Sequence, residues 1–182
     1  MLDKKTLRKE IYELNKKNRN VNFINEDKLL IEKLVNKPIF KKADTILLFY
    51  PLQNEVNIIS LINYCLSLNK TVALPKTFKD IIKFTKIGPN WETQLIKGLY
   101  NTVEPNSNLF IEDFNANTLI IVPALAYGKD NSRIGHGKGY YDKFLKSYSN
   151  IYKIGLCRKH LLFDKILMNK NDIYLDEIIY IK

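Results

Sequence analysis

Residues 131–145 read Asn-Ser-Arg-Ile-Gly-His-Gly-Lys-Gly-Tyr-Tyr-Asp-Lys-Phe-Leu. Three of the seven glycines in the chain stand here at alternate positions, 135, 137 and 139. The preceding run 119–123, Leu-Ile-Ile-Val-Pro, is typical of a buried strand, and apolar residues recur at helical spacing from Tyr141 to Tyr148. A basic, glycine-rich loop between a strand and a helix start can bind an anion, because its backbone N–H groups and the helix dipole both favour negative charge.

Four other apolar runs predict further strands, at 45–50, 70–75, 152–157 and 177–181. The apolar positions between 58 and 66 predict a helix that joins the first two runs, which makes a parallel βαβ unit. Together they predict an α/β fold with residues 1–182 in a single domain. The mainly parallel sheet should be covered by helices on both faces, which gives three layers.

The remaining segments predict smaller elements. Asp3 can cap a first helix with Leu7, Ile11 and Leu14 on its apolar face, and a second helix should follow Asn25 and end at Pro38. Alternation over 82–85 predicts a half-exposed strand. Residues 91–117 are weakly patterned and predict loops with one short helix.

The net charge of +10 raises the possibility of a nucleic-acid-binding module. Of the 29 basic residues, however, 25 are lysines scattered along the chain, which favours a solvated surface. No run is apolar and long enough to span a bilayer, and charged residues interrupt any secretory signal near the N-terminus. The two cysteines, Cys65 and Cys157, form no paired motif. We therefore expect a cytoplasmic protein, a monomer, with no nucleic-acid or membrane partner.

The glycine-rich loop has a structural and a functional interpretation. It matches neither a Walker A sequence nor a dinucleotide fingerprint. Three glycines could simply serve backbone positions with positive φ. That reading leaves Arg133 and Lys138 unexplained, since an arginine, a lysine and several N–H groups together suit a polyphosphate. Asp142 lies one turn further on, where a carboxylate can bind Mg²⁺ that bridges phosphate oxygens.

The segment Pro123-Ala124-Leu125-Ala126-Tyr127, followed by Asn131 and residues 133–142, resembles the signature of the 5-formyltetrahydrofolate cyclo-ligase family. Shorter matches are Lys4 to Arg8, Asn54-Glu55 after a strand, and Asp172 with Asp176-Glu177. The resemblance implies conversion of 5-formyltetrahydrofolate, with ATP and Mg²⁺, into 5,10-methenyltetrahydrofolate, ADP and phosphate. ATP would phosphorylate the formyl oxygen, and N10 would then close the ring and expel phosphate.

The resemblance also implies site residues. Lys138 and Arg133 would be catalytic. ATP would contact Lys4, Lys5, Arg8, Arg133, Ile134, Gly135, His136, Gly137, Lys138, Gly139, Tyr140 and Tyr141. Folate would contact Tyr50, Glu55, His136, Gly137, Lys138, Gly139 and Tyr140. Mg²⁺ would be bound by Asp142 and Asp172.

Several of these residues have a second interpretation. Lys4, Lys5 and Arg8 could be a solvated basic face. Asp172 could be an ordinary turn residue, and the second metal-binding carboxylate could then be Asp176. His136 could be a variable residue at the rim of the site, and His160 a surface residue. An unrelated ATP-dependent kinase or ligase could use the same loop.

Overall fold

The computed structural model describes residues 2–99 and 102–182. The α-helices in these ranges are α1 (Lys4–Lys17), α2 (Ile24–Val35), α3 (Pro38–Lys42), α4 (Ile59–Ser67) and α5 (Tyr140–Ser147). The strands are β1 (Thr45–Leu47), β2 (Thr71–Phe78), β3 (Ile81–Ile87), β4 (Leu95–Lys97), β5 (Val103–Pro105), β6 (Phe110–Ile111), β7 (Thr118–Ile121), β8 (Ala126–Gly128), β9 (Arg133–Ile134), β10 (Tyr152–Cys157), β11 (Leu162–Phe163) and β12 (Glu177–Tyr180). Short 3₁₀ helices cover Trp91–Gln94 and Lys159–Leu161.

The main sheet has seven strands in the order β12-β10-β7-β1-β2-β3-β6. The five strands from β12 to β2 are parallel, and β3 and β6 are antiparallel to their neighbours. The α/β class and the mainly parallel sheet are therefore confirmed. From the adjacent strands β1 and β7 the chain leads in opposite directions, through α4 to β2 and through α5 to β10. The two strands form the switch point of the sheet, where α/β folds place their ligands.

The sheet is buried on both faces. Successive residues alternate between two cores: Ile46 of β1 belongs to one and Leu47 to the other, as do Leu119 and Ile120 of β7. The first core contains apolar side chains of α2, α3 and α4, and the second contains those of α1 and α5. Burial on both sides explains why these strands are continuous apolar runs in the sequence.

The first helix is confirmed, with Asp3 as its cap. Its carboxylate accepts hydrogen bonds from the backbone N–H groups of Lys5 at 2.9 Å and Thr6 at 3.1 Å. The Thr6 hydroxyl also donates to this carboxylate, at 2.6 Å. The hydroxyl bond contributes most, and together with the backbone bonds it lowers the pKa of Asp3. Leu7 and Ile11 face the core, while Leu14 is half-buried.

The second helix is also found, but the expected role of Pro38 was wrong. The helix ends at Val35, and Pro38 instead begins α3. Proline suits the first helical position, because its fixed φ is helical and its missing N–H would have no partner there.

The expectation of loops over 91–117 was wrong in part. The 3₁₀ turn Trp91–Gln94 is a short helix, but β4 and β5 pair with each other, and β6 adds an edge strand to β3. Residues 100 and 101 of this stretch lie outside the described residues. β6 also explains why Thr85 of β3 is buried rather than exposed, since Thr85 pairs with Phe110.

Two further results concern short elements and the membrane. A small sheet in the order β11-β8-β9, with strands of two or three residues, precedes and follows the glycine-rich loop and was not expected. Such strands are too short to show a period. Within the described ranges, no helix has the length and apolar character needed to cross a bilayer.

Candidate active site

A cavity of about 890 Å³ lies at the carboxyl end of the parallel strands. Its walls include Phe49 and Tyr50 after β1, Thr77 of β2 and Pro123 after β7. The cavity therefore occupies the switch point between β1 and β7, where the loops diverge and leave a crevice. Its volume is near the upper end of the roughly 300–1,000 Å³ typical of small-molecule sites.

The glycine-rich loop forms one wall and needs glycine at two positions. Gly137 has a φ of 98° and Gly139 a φ of 68°, in the left-handed region that side chains disfavour. Gly139 is the N-cap of α5, so the loop leads directly into the helix N-terminus. The conformational role proposed for the glycines is thus real for these two, and it coexists with a position on the cavity wall.

Arg8 of α1 lies against this loop. Its Nε donates a hydrogen bond to the carbonyl oxygen of Gly135 at 3.0 Å. A Cβ atom at Gly137 would lie 3.4 Å from the Arg8 Nη2, so the guanidinium lies directly beside this glycine. The N-terminus of α1 and the loop therefore form one continuous basic surface, although they are more than a hundred residues apart in sequence.

Nearly all residues expected in the site line this cavity. They are Lys4, Lys5, Arg8, Tyr50, Glu55, Arg133, Gly135, His136, Gly137, Lys138, Gly139, Tyr140, Tyr141, Asp142 and Asp172. Ile134 is the exception among the expected residues. Its side chain is fully buried in the core that contains α1 and α5 and does not line the cavity.

Arg133 and Asp142 form a half-buried ion pair at the start of α5. The Arg133 Nη2 donates to the Asp142 Oδ1 at 2.7 Å, and the same oxygen accepts the N–H of Ile173 at 3.0 Å. The Arg133 side chain is 4% exposed, and its Nε has no hydrogen-bond partner among the described residues. Arg133 therefore holds the Asp142 carboxylate in place, and its buried Nε–H remains as a further donor.

The second expected metal-binding carboxylate lies close to the first. Ile173, which donates to Asp142, directly follows Asp172. The Asp172 carboxylate forms an ion pair with Lys4 and accepts the N–H of Asn169. Asp176 does not line the cavity, and its Oδ2 lies 2.8 Å from the Lys153 Nζ. Of these two C-terminal carboxylates, the one that faces the cavity is therefore Asp172.

The donor set fits Mg²⁺ that is shared with a ligand. No group of three or more His, Cys, Asp or Glu residues able to hold a metal occurs in the described part of the chain. Mg²⁺ is often held by only one or two carboxylates, with substrate phosphates and waters as the other ligands. Asp142 and Asp172, on the wall of a cavity that is also lined by Lys4, Lys5, Arg8 and Lys138, match that pattern. A cage made of protein ligands alone would not.

Glu55 enters the cavity from the turn after β1. Its Oε2 accepts the N–H of Leu52 at 2.8 Å, and its Oε1 lies 3.8 Å from the His136 Nε2. The side chain of Glu55 is 10% exposed, while His136 is largely exposed at the rim. The turn that carries Glu55 and the glycine-rich loop thus meet across the cavity.

Arg158 supports this turn from below, a role that the sequence did not indicate. Its Nη2 donates to the carbonyl oxygen of Glu55 at 2.6 Å, and its Nη1 to that of Asn54 at 3.3 Å. The guanidinium also forms two hydrogen bonds of 2.8 Å with Asp27 and packs 4.5 Å from the centre of the Phe23 ring. One signal was present, because Arg158 is one of four arginines and directly follows a predicted strand.

Of two further titratable side chains, Tyr141 lies in the site and His160 lies outside it. Tyr141 lines the cavity, and burial raises its pKa far above the usual value, so its hydroxyl remains a hydrogen-bond donor. His160 does not line the cavity. It is half-buried, stacks on Phe23 with ring centroids 4.9 Å apart, and burial lowers its pKa.

A comparison with known proteins identifies the family. Residues 1–181 match the model of the 5-formyltetrahydrofolate cyclo-ligase family. A 5-formyltetrahydrofolate cyclo-ligase from Mycoplasma pneumoniae is 32% identical over 184 residues, which cover 98% of each chain. A probable 5-formyltetrahydrofolate cyclo-ligase from Schizosaccharomyces pombe is 28% identical over 82% of this chain and 81% of its own length.

Two solved structures have the same fold. The 5,10-methenyltetrahydrofolate synthetase from Aquifex aeolicus superposes with a TM-score of 0.76 at 26% identity, over 95% of this chain and 89% of its own. The synthetase from Mycoplasma pneumoniae superposes with a TM-score of 0.72 at 27% identity, over 98% and 99%. The family model, the relatives and the fold agree across nearly the whole length. The chain belongs to the 5-formyltetrahydrofolate cyclo-ligase family.

Proposed function

We propose that the protein converts 5-formyltetrahydrofolate and ATP into 5,10-methenyltetrahydrofolate, ADP and phosphate, with Mg²⁺ required. Membership of the family supports the folate reaction. The observation that supports the two-substrate chemistry is the cavity itself. It joins a basic wall, made by the N-terminus of α1 and the glycine-rich loop, to the carboxylates Glu55, Asp142 and Asp172.

ATP binds through its phosphates on the basic wall. Lys4, Lys5, Arg8 and Lys138 supply positive charge, and the backbone N–H groups of the loop and of the α5 N-terminus supply directed donors. Cations in the first turn of α1 oppose the helix dipole, an arrangement that costs a few tenths of a kcal/mol and that a bound anion would offset. This accounts for Lys4, Lys5 and Arg8 better than a solvated basic face does.

Asp142 and Asp172 would hold Mg²⁺ together with the phosphates. A bound Mg²⁺ would supply positive charge there to offset that of the phosphates. Arg133 keeps the Asp142 carboxylate in place through the bond to its Oδ1. The ion pair between Lys4 and Asp172 joins the basic wall to the carboxylates, so nucleotide and metal share neighbouring residues.

Folate binds on the side of Glu55. The carboxylate accepts hydrogen bonds from donors of the pterin, and Tyr50 and the exposed edge of the loop from His136 to Tyr140 line the rest of its path. Arg158 fixes the backbone of Asn54 and Glu55, so the carboxylate is held in place before the substrate arrives. Such preorganisation reduces the entropy lost on binding.

The reaction then needs positioning and charge stabilisation rather than a protein nucleophile. The formyl oxygen attacks the γ-phosphorus, and the bond between that phosphorus and the bridging oxygen breaks to release ADP. The N10 lone pair attacks the activated carbon, N10 loses its proton to water, and the carbon–oxygen bond breaks to release phosphate. Lys138, together with Arg133, stabilises the charge that develops on the transferred phosphoryl group.

The direct test follows product formation in purified protein. The absorbance of 5,10-methenyltetrahydrofolate should grow when 5-formyltetrahydrofolate, ATP and Mg²⁺ are all present, and ADP should form in equal amount. Each reagent is omitted in turn as a control. Product formation without ATP, or ADP formation without folate consumption, would contradict the proposed reaction and favour a kinase or hydrolase that uses the same loop.

A further inference from the structure

The cavity is also lined by a buried carboxylate to which the proposed function gives no role, that of Glu104. It lies in β5, opposite Ile96 of β4, and is only 6% exposed. Thr77, Thr102 and Ile82 form the cavity wall around it. Nothing in the local sequence marked Glu104, which lies in the stretch expected to form loops.

The Glu104 carboxylate accepts hydrogen bonds from Thr77 of β2 and from Thr102, which directly precedes β5. Its Oε1 accepts from the Thr77 hydroxyl at 2.7 Å, and its Oε2 accepts the Thr77 N–H at 3.1 Å. The Thr102 hydroxyl lies 2.9 Å from Oε1 but also 2.5 Å from the carbonyl oxygen of Leu99. A hydroxyl has one hydrogen, so the carboxylate shares this third donor.

Glu104 therefore has acceptor capacity left over. A carboxylate has about four lone-pair positions, of which two are filled by Thr77 and one is shared. In residues 2–99 and 102–182, no basic side chain forms an ion pair with it. The neighbouring Lys76 points elsewhere, because its Nζ binds the carbonyl oxygens of Asn106 and Ser107 at 3.2 Å.

A buried carboxylate without a cation is costly unless donors complete its hydrogen bonds. Here the open side of the carboxylate is the cavity, so a ligand can supply the missing donor. Both substrates of the proposed function carry one: the pterin has an amino group and a ring N–H, and adenine has an amino group. The shared chemistry is an N–H donor on a nitrogen heterocycle.

We propose that Glu104 is a specificity-determining residue that accepts a hydrogen bond from the exocyclic amino group of the heterocycle bound in this cavity. The proposal rests on the proposed function for the identity of the two heterocycles. It assigns a role to the paired strands β4 and β5, because β5 brings Glu104 into contact with Thr77 of β2. The alternative is that Glu104 only fastens β5 to Thr77.

The unmodified protein supplies the first test, by calorimetric titration with each ligand and with its deaminated analogue. The pairs are ATP with purine riboside triphosphate, and 5-formyltetrahydrofolate with its 2-desamino form. One analogue should bind about tenfold or more weakly than its parent, as expected for loss of a hydrogen bond to a charged group. That pair identifies the heterocycle. Equal dissociation constants within both pairs would overturn the proposal.

Glu104→Gln connects the lost affinity to this residue. It should weaken binding of the identified parent ligand by a similar factor and abolish the difference between parent and analogue. The matched control is Glu92→Gln, at an exposed glutamate of the 3₁₀ helix Trp91–Gln94 just before β4, and it should change neither. A Glu104→Gln variant with a lower melting temperature but unchanged dissociation constants would show that Glu104 is only a fastening.

Gly98→Ala gives an independent perturbation that leaves the carboxylate chemically intact. A Cβ atom at position 98 would overlap the carboxyl group of Glu104 and displace it. The variant should therefore weaken binding of the same ligand as Glu104→Gln, even if the latter folds poorly. Unaltered binding in a folded Gly98→Ala protein would contradict the proposal. Because titration needs no turnover, loss of catalysis with normal binding would contradict only the proposed reaction.

Discussion

Arg158 and Asp27 form a buried, two-pronged ion pair between residues 131 positions apart in the chain. Their side chains are 6% and 7% exposed, and Nε–Oδ1 and Nη2–Oδ2 are both 2.8 Å. The Asp27 Oδ2 also accepts the N–H of Asn57 at 2.9 Å, while Arg158 holds the carbonyl oxygens of Asn54 and Glu55. The pair therefore clamps both sides of the turn that presents Glu55 to the cavity.

Arg158→Ala should destabilise the protein and weaken folate binding. Removing one partner of a buried pair leaves Asp27 uncompensated, which costs about 3–5 kcal/mol of the free energy of unfolding. The freed turn should also raise the KM for 5-formyltetrahydrofolate more than the KM for ATP. Urea denaturation and steady-state kinetics measure the two effects. Arg19→Ala, at an exposed arginine, serves as the control. Equal changes in the two KM values would mean that the pair supports the fold without positioning Glu55.

Lys138→Ala should lower kcat by about a hundredfold or more while the fold remains intact, because a charge partner of the transition state is lost. The measurements are kcat with saturating substrates and the melting temperature. Lys146→Ala removes an exposed lysine of α5 outside the cavity and should leave kcat unchanged. Unchanged turnover in a folded Lys138→Ala variant would refute its catalytic role.

Asp142→Asn should raise the Mg²⁺ concentration that gives half-maximal activity. Asparagine keeps a carbonyl oxygen to accept from Arg133 and Ile173, so the substitution removes the charge with little change in shape. A magnesium titration at fixed ATP measures the effect. Asp113→Asn, at an exposed position away from the cavity, is the control. Superimposable titration curves for the variant and the unmodified protein would argue against a metal-binding role.

Cys65 and Cys157 should not react with a thiol reagent in the folded protein. Burial raises the pKa of each thiol to about 12, and the thiolate is the reactive form. At about pH 8 both groups are therefore protonated as well as inaccessible. A colorimetric titration should detect neither thiol before denaturation and both afterwards. Fast labelling of the native protein would show that one of these core regions opens readily.

The sequence alone determined the elements whose pattern is local. The parallel strands are buried on both faces and so appear as apolar runs, and the helices show their buried stripe at helical spacing. The loop of 135–139 was recognisable because its backbone needs left-handed φ values at Gly137 and Gly139, which favour glycine.

Only the tertiary structure decided which distant residues meet. The clamp of Arg158 on Asp27 and the bond of Glu104 to Thr77 join chain segments whose separation carries no local period. The same holds for β4, β5 and β6, because strands of two or three residues exist only through their partners. In the glycine-rich loop, the glycines together with Arg133 and Lys138 predicted a phosphate site. The packing of α1 against the loop, through Arg8 and the carbonyl oxygen of Gly135, brought the other cations to it. Local sequence determines backbone preference, whereas side-chain contacts across the chain depend on how the sheet assembles.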